Sequence, residues 1–413
     1  MSKEPEMASA PAGHAPSASQ GEIHLFILWS TALEFADLIY ADLEQQFDLI
    51  DSLLVRWRPD RFRRNLLRLY GFEIPERIDK ATGTGTDPFH VVIVRDVAPR
   101  YEARWRSWGI GPANARTYDA KLRYRRRTGG GFRVHATNDQ REVARDLFML
   151  FGRRVDAYVG APVVPWTRRP LQDWMRDIVG ADGWDSESEL LTALELCLNY
   201  VLLWRDDRTG EAARLTLLVD DARRAALVAS GVPDAAHAPA LECSVAGQRV
   251  ALFLREVGDG TLDPVWQRAI LRHRLRQHDG ALVLPKEDRA YVPLYELVAH
   301  TPANVEQRRR LARLVLKVAP SPGNYEDSAF AKAVLEEFML RNGYAYSVPR
   351  DRTVSRNAEV LGRPARLRRL LRRRVPRLSR LGGRMLHTAS SIRGRVRTQV
   401  LRNPRSPNGS SDG

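Results

Sequence analysis

Cysteine is nearly absent from this sequence, and long apolar runs are missing altogether. The 413 residues include two cysteines, Cys197 and Cys243. Two isolated cysteines cannot build a disulfide framework and have no metal-ligand spacing, so we expect a reducing compartment. No apolar run approaches the roughly 20 residues that cross a bilayer, and the N-terminal segment lacks the apolar core of a signal peptide. We therefore expect a cytoplasmic protein that is neither exported nor integral to a membrane.

Positive charge is concentrated at one end of the chain. The formal net charge is +15, but the segment Asp351–Gly413 alone holds seventeen arginines and three acidic residues. The rest of the chain is close to neutral. The overall charge therefore indicates no partner for the folded part, and the tail needs its own explanation.

The tail interleaves arginine with leucine, valine and isoleucine from Arg363 to Arg402. In a helical tail one face would carry four aliphatic residues: Leu367, Leu370, Leu371 and Val375. This pattern is typical of a helix on an anionic membrane surface, which would make the protein peripheral at the inner membrane face. Nucleic acid is a weaker alternative because the tail has no aromatic side chains for base stacking. A disordered, solvated extension is the third alternative.

Length and pattern divide the chain into five segments. It is too long for one ordinary domain and fits two with some chain left over. We predict a disordered leader over 1–21, a first domain over 22–152, a linker over 153–185 and a second domain over 186–350. The remaining 351–413 is the arginine-rich tail.

The first domain follows the order β-α-β-α-β-loop-β-α. Four apolar runs predict strands: Ile23–Leu28, Phe47–Trp57, Phe89–Arg95 and Phe132–His135. The arginine- and glycine-rich stretch between the last two is interpreted as a long loop. A helix from about Asn138 to Phe151, capped by Thr137 or Asn138, would end at Gly152. This order predicts an α+β sandwich with the helices on one face of a mostly antiparallel sheet, followed by a second α/β domain.

The stretch from Arg123 to Asp146 contains the residue types that handle phosphate. Guanidinium groups donate two hydrogen bonds to phosphate oxygens, and the run Gly129–Gly131 would let backbone N–H groups approach closely. A helix N-terminus after His135 adds partial positive charge. A neutral imidazole there is able to act as a nucleophile, although a structural histidine is the commoner alternative.

The segment VHATNDQREVARDLFMLF resembles the signature of nucleoside diphosphate kinases. In that family a strand ends at the active-site histidine, which a small residue, Ser or Thr, Asp or Asn, and a helix carrying a glutamate follow. The matching residues are His135, Ala136, Thr137, Asn138 and Glu142. The resemblance continues into GPANA, which includes Asn114, and into PFHVVIVRD, so it covers about a third of the chain.

This resemblance implies a ferredoxin-like antiparallel sandwich that binds a nucleotide and relays a phosphoryl group through His135. It also implies Mg²⁺ bound with ATP or another nucleoside triphosphate. The residues expected to contact the nucleotide or its phosphates are Arg104, Arg106, Asn114, Arg123, Arg125, Thr137, Asn138, Glu142 and Tyr70. For Tyr70, core packing is the alternative to stacking on a nucleobase. The oligomeric state stays open.

The second domain contains a stretch, LWRDDRTGEAARLTLLVDDARR, that is faintly similar to the metal-binding strand of minimal nucleotidyltransferases. Asp220 and Asp221 lie beyond its strand, and Glu256 and Asp259 follow a later one. Such chemistry needs adjacent carboxylates on a divalent metal. The simpler interpretation, that these acids are turn and cap residues, is favoured.

Three hypotheses follow for the function. The first is a nucleotide-dependent phosphotransferase that acts through His135. The second is a non-catalytic protein that binds a nucleotide or phosphosugar. The third is a transferase of surface-glycan precursors that is peripheral to the membrane.

Overall fold

The computed structural model describes residues 21–70, 83–106, 109–163, 165–166, 171–206, 213–233, 240–300, 305–318, 323–351 and 354–361. The chain divides into two compact units, Met1–Arg289 and Ala290–Gly413. Both predicted domains therefore contribute to the first unit, and the predicted linker lies inside it. The predicted leader and most of the predicted tail, including Arg363–Arg402, lie outside the described residues.

The first part of unit one alternates strands and helices. Its elements are β1 (Glu22–Leu28), α1 (Ala36–Gln46), β2 (Asp48–Val55), α2 (Phe62–Tyr70), β3 (Phe89–Asp96), β4 (Tyr101–Arg106), β5 (Gly109–Asn114), α3 (Ala115–Arg127), β6 (Val134–Ala136), α4 (Gln140–Phe151) and β7 (Gln172–Trp174). A 3₁₀ segment, Ser30–Phe35, precedes α1. The predicted strands at β1, β2 and β3 are confirmed within one or two residues.

Within the described residues these strands form a five-stranded sheet in the order β6-β1-β3-β2-β7. All neighbours are antiparallel except β2 and β7, which are parallel. The expectation of helices on one face was wrong, because alternate residues of β1 enter two cores. Leu25 and Ile27 pack with α2 and α4, whereas Phe26 and Leu28 pack with α1 and α3.

The stretch that the sequence predicted as a long loop is ordered secondary structure. β4 and β5 form a two-stranded ribbon, and α3 follows it directly. The Asn114 side chain caps α3 by accepting from the backbone N–H groups of Arg116 and Thr117. The buried face of α3 includes Thr117, Ala120 and Tyr124, which are at helical spacing. The arginines of this segment made the apolar pattern hard to recognise in the sequence. The cap of α4 is Asp139 rather than Thr137 or Asn138.

The second part of unit one carries a mixed sheet of seven described strands in the order β10-β11-β12-β9-β8-β14-β13. Its strands are β8 (Tyr200–Asp206), β9 (Ala213–Val219), β10 (Val232–Pro233), β11 (Leu241–Val245), β12 (Gln248–Glu256), β13 (Leu275–Arg276) and β14 (Leu282–Val283). Its helices are α5 (Glu187–Cys197), α6 (Ala222–Val228) and α7 (Pro264–His273). One apolar cluster joins the two sheets, because Leu147 of α4, Leu190 of α5 and Leu217 of β9 belong to the same core.

The second unit is helical in its described part. Its elements are α8 (Asp288–Ala299), whose first two residues precede the unit boundary, α9 (Val305–Val318), α10 (Ser328–Asn342) and α11 (Ala358–Leu361). The Tyr291 and Phe338 rings stack with centroids 3.7 Å apart, which fixes α10 against α8. Across the described residues the fold is thus mixed α+β, as the sequence predicted. No helix among them is both long and apolar enough to span a bilayer.

Candidate functional site

His135 sits in the middle of β6, opposite Ile27 of β1, and its side chain is 13 % exposed. Its Nε2 atom lies 3.1 Å from the Asp146 Oδ2 atom on α4, and the Tyr70 ring and the imidazole form a T-shaped pair with centroids 5.2 Å apart. Burial lowers the pKa of His135, although the Asp146 hydrogen bond opposes this shift. The imidazole is therefore neutral near pH 7. Because a carboxylate only accepts, the proton lies on Nε2, and Nδ1 keeps its lone pair.

Asp146 connects His135 to a second charged side chain. The carboxylate is fully buried, and its Oδ1 atom accepts a 2.8 Å hydrogen bond from Arg145 Nε. Arg145 in turn lines a cavity of about 310 Å³. His135 does not line this cavity, so it lies one layer behind the wall.

The cavity is formed by both halves of unit one. Its lining residues are Arg106, Asp139, Arg141, Glu142, Arg145, Leu196, Cys197, Leu198, Asn199, Asp220 and Arg224. Four of them are arginines, from β4, α4 and α6. Two of the three acids, Asp139 and Glu142, lie 2.7 and 3.2 Å from the Arg106 Nη2 atom. Asp220 accepts hydrogen bonds from the backbone and side-chain nitrogens of Asn199.

Arg141 is the exposed cation of this cavity. It is the second residue of α4 and forms no hydrogen bond or ion pair within the part of the chain that the structure describes. The N-terminal turn of a helix carries partial positive charge, which adds to that of the guanidinium. The same turn carries the cap Asp139 and the acid Glu142, so the exposed guanidinium of Arg141, rather than the helix end, is the group suited to an anion.

A buried lysine lies behind Glu142. The Lys121 Nζ atom donates to Asn138 Oδ1 at 2.6 Å and to the Ala136 carbonyl at 3.3 Å. Asn138 Nδ2 then donates to both Glu142 oxygens, at 3.0 and 2.9 Å. Burial raises the pKa of Glu142, but His135, Arg145 and the Asn138 donors outweigh burial and lower the pKa to about 2. Glu142 is therefore ionised at neutral pH.

Two of the predicted phosphate-binding residues, Arg106 and Glu142, line the cavity, and Asn138 contacts Glu142. Asn114 and Thr137 instead belong to a buried network around His24. The His24 Nδ1 atom lies 3.2 Å from Thr137 Oγ1, and its Nε2 atom lies 3.1 Å from Asn114 Nδ2. All three side chains are buried.

The other predicted residues lie elsewhere. Arg104 pairs with Glu102 and Asp119 on the ribbon side of α3. Arg123 pairs with Asp42 at 2.8 Å. Arg125 Nε donates to the Val134 carbonyl. Tyr70 is buried in the aromatic core beside Trp29.

The acids predicted in the second domain make local contacts. Asp221 caps α6, Glu256 accepts from the Ala222 backbone, and Asp259 accepts from Thr261 and Gln267. No group of three His, Cys, Asp or Glu residues in the described ranges could hold a metal ion. The carboxylates of the arginine cavity accept hydrogen bonds from Arg106 and Asn199.

Sequence reasoning missed His24, Lys121, Arg141, Arg145 and Arg224. Lys121 had a signal, because a lysine between Ala120 and Tyr124 on the apolar face of a helix is unusual, but α3 was interpreted as loop. Arg141 and Arg145 share a face of the predicted helix through their i,i+4 spacing. Arg224 had no signal, because nothing in the pattern brings α6 to α4. Neither the models of known protein families nor the curated proteins compared with this chain gave a match.

Proposed function

We propose that the arginine cavity of unit one binds a phosphorylated small molecule, either a nucleotide or a phosphosugar. The observation that carries this proposal is Arg141, an exposed guanidinium without a partner among the described residues, beside three further arginines in one cavity. A volume of about 310 Å³ lies at the lower end of the range of small-molecule sites. Guanidinium donors match phosphate oxygens in charge and geometry.

The exposed position of Arg141, rather than the net charge of the cavity, favours an anionic ligand. Asp139 and Glu142 face the guanidinium of Arg106, so these three side chains together carry a formal net charge of −1. Arg145 is held by the buried Asp146. The Arg141 charge has no such counterpart among the described residues, and a phosphate group would supply one.

The nucleoside diphosphate kinase-like interpretation is part of the same proposal. Strands β6, β1, β3 and β2 form an antiparallel sheet in the order that a ferredoxin-like sandwich requires, and this order supports that fold. The helices on the second face, α2 and α4, are additions to it. The Mg²⁺ of the nucleotide would arrive with its phosphates, and we assign no protein ligand to it.

Calorimetric titration with ADP tests the proposal. We expect wild-type protein to bind and Arg141→Gln to bind roughly tenfold more weakly or worse, because a charge-assisted hydrogen bond contributes about 1.5–3 kcal/mol. The matched control is Arg100→Gln, whose side chain is 66 % exposed and does not line the cavity. Equal affinities for the wild type and Arg141→Gln would contradict the proposal, as would no binding by the wild type of ADP, inorganic phosphate or a nucleotide sugar.

A second candidate function is phosphoryl transfer through His135. The specific observation is the Nε2–Asp146 hydrogen bond, which leaves Nδ1 with its lone pair. In that reaction Nδ1 would attack the γ-phosphorus of ATP, the bond to the bridging oxygen would break, and ADP would leave. Incubation with γ-labelled ATP should then give an acid-labile, base-stable phosphoprotein. The label should disappear in His135→Ala and remain in the control His278→Ala, a change at an exposed histidine.

A further inference from the structure

Lys121 is a charged residue buried one layer behind the arginine cavity. It lies on α3, its side chain is almost completely buried, and its Nζ atom is 4.7 Å from the centroid of the Tyr118 ring. Among the residues that the structure describes, no carboxylate touches it directly. Its two hydrogen-bond acceptors are the Asn138 amide oxygen and the Ala136 carbonyl.

A chain of hydrogen bonds connects Lys121 to the cavity wall. Because Nζ only donates, the amide oxygen of Asn138 must face it, and the Asn138 nitrogen must face Glu142. Glu142 also accepts from the Asn138 backbone N–H at 2.8 Å. Its Oε1 atom then accepts from Arg106 Nη2 at 3.2 Å. The lysine thus fixes the orientation of Asn138, and Asn138 fixes the carboxylate that holds Arg106.

We propose that Lys121 is the positioning residue of this anion site and that gain or loss of its proton tunes how strongly the cavity binds an anionic ligand. The inference rests on the proposed function of the cavity. When Lys121 is protonated, it offsets the buried negative charge of Glu142, so the cavity arginines interact with the ligand rather than with Glu142. When Lys121 is neutral, Glu142 attracts Arg106 more strongly, and the electrostatic potential in the cavity becomes less positive.

Burial lowers the pKa of Lys121 to about 7, and the Arg125 charge acts in the same direction. The charged or titratable groups around it are Tyr118 and Arg125 on α3, Arg106 on β4, His135 on β6 and Glu142 on α4. His135 is the other group here with a shifted pKa, and burial lowers that pKa below its ordinary value. The two residues are therefore distinguishable by substitution.

Sulfate is the suitable probe because its charge does not change between pH 6 and pH 8.5, unlike that of phosphate. We expect bound sulfate to raise the pKa of Lys121 by less than one unit. The wild-type affinity for sulfate should therefore fall by about fivefold over this range. Lys121→Met should bind weakly at every pH with a flat profile. Lys121→Arg, which keeps its charge, should bind at least as tightly as the wild type at pH 8.5, also with a flat profile.

One control variant and a check of folding separate the outcomes. His135→Gln should retain the wild-type slope, and circular dichroism reports whether each variant is folded. If Lys121→Met does not fold, the flat, tight profile of Lys121→Arg still tests the inference. Wild-type binding whose pH slope persists in Lys121→Arg overturns the role of Lys121 and leaves the anion site standing. No sulfate or ADP binding by the wild type at any pH overturns the anion site and the inference together.

Discussion

Asp146 lies between His135 and Arg145 and bonds to both, at 3.1 Å through Oδ2 and at 2.8 Å through Oδ1. The carboxylate has no exposed surface. One buried negative charge therefore fixes the tautomer of the histidine and the position of a cavity arginine at the same time. A ligand that displaces the Arg145 guanidinium would also shift the Asp146 carboxylate and, through it, the imidazole of His135.

Replacement of Asp146 should be costly to stability. Asp146→Asn removes a fully buried carboxylate charge that bonds to both His135 and Arg145, so we expect a loss of about 3 kcal/mol in the free energy of unfolding. All nine tryptophans lie in unit one, so their fluorescence in urea reports on this unit. Asp173→Asn is the control, because its side chain is 61 % exposed and its ion pair with Arg56 should contribute less than about 1 kcal/mol. Similar small losses in both variants would contradict the assignment.

Asn114 should matter for folding and not for ligand binding. Its oxygen caps α3, and its nitrogen donates to the buried Asp96 at 2.8 Å. Asn114→Ala should therefore cost about 2 kcal/mol in the free energy of unfolding, with sulfate affinity unchanged at a temperature where the variant is folded. Ser186→Ala, which removes a cap with a single hydrogen bond at α5, should cost about 1 kcal/mol. If the Asn114→Ala variant folds but binds sulfate more weakly, Asn114 contributes to the phosphate site, as the sequence predicted.

Lys121 should give stability a pH dependence of known sign. Its pKa is about 7 in the folded protein and about 10.5 in the unfolded chain. Below pH 7 both states carry the proton, and the cost of burying the charge is complete. Between pH 7 and about 10 the unfolded chain binds more protons, so the lysine destabilises the fold less as pH rises.

The comparison variant for this prediction is Lys121→Met. Its advantage in unfolding free energy over the wild type should be greatest at pH 6 and should shrink by up to about 1.4 kcal/mol per pH unit above pH 7. Urea titrations at pH 6, 7, 8 and 9 measure it. A difference between the two proteins that is constant with pH would show that Lys121 keeps an ordinary pKa.

The ribbon formed by β4 and β5 should tolerate substitutions that the core does not. Trp105 is 72 % exposed and lies opposite Ile110, which is 70 % exposed. Trp105→Ser should therefore change the unfolding free energy by less than about 0.5 kcal/mol. Trp29 is fully buried among Trp57, Phe62 and Phe89, and Trp29→Ala should cost about 3–5 kcal/mol. A large loss in Trp105→Ser would mean that the exposed face of the ribbon is covered in solution.

The parts of the fold that the sequence predicted are those with local signals. β1 and β3 are short apolar runs, and Gly152 ends α4 in the left-handed conformation expected of a C-terminal glycine, with φ 66°. α3 was missed because its exposed positions hold arginines that resemble a loop in composition. β8 follows the end of α5 at Cys197 after only two residues, Leu198 and Asn199, so neither Gly nor Pro marks the change from helix to strand.

The candidate site was predictable only in part. The placement of His135 on a short strand followed from local pattern, but the strand spans Val134–Ala136 and His135 lies in its middle rather than at its end. Its partner Asp146 depends on α4 packing against the sheet, and no motif signals that contact. The cavity needs Arg106, Arg141 and Arg224 together, and these residues meet only because two sheets share one core.

The parallel pairing of β2 with β7 has a consequence for synthesis of the chain. Leu53 pairs with Gln172 and Val55 with Trp174, so β7, the fifth strand of the first sheet, is synthesised long after β2, the strand with which it pairs. Until that segment leaves the ribosome, the edge of β2 is open to other chains. A fragment that stops at Gly152 would keep this edge permanently, and a fragment that continues past Trp174 would close it.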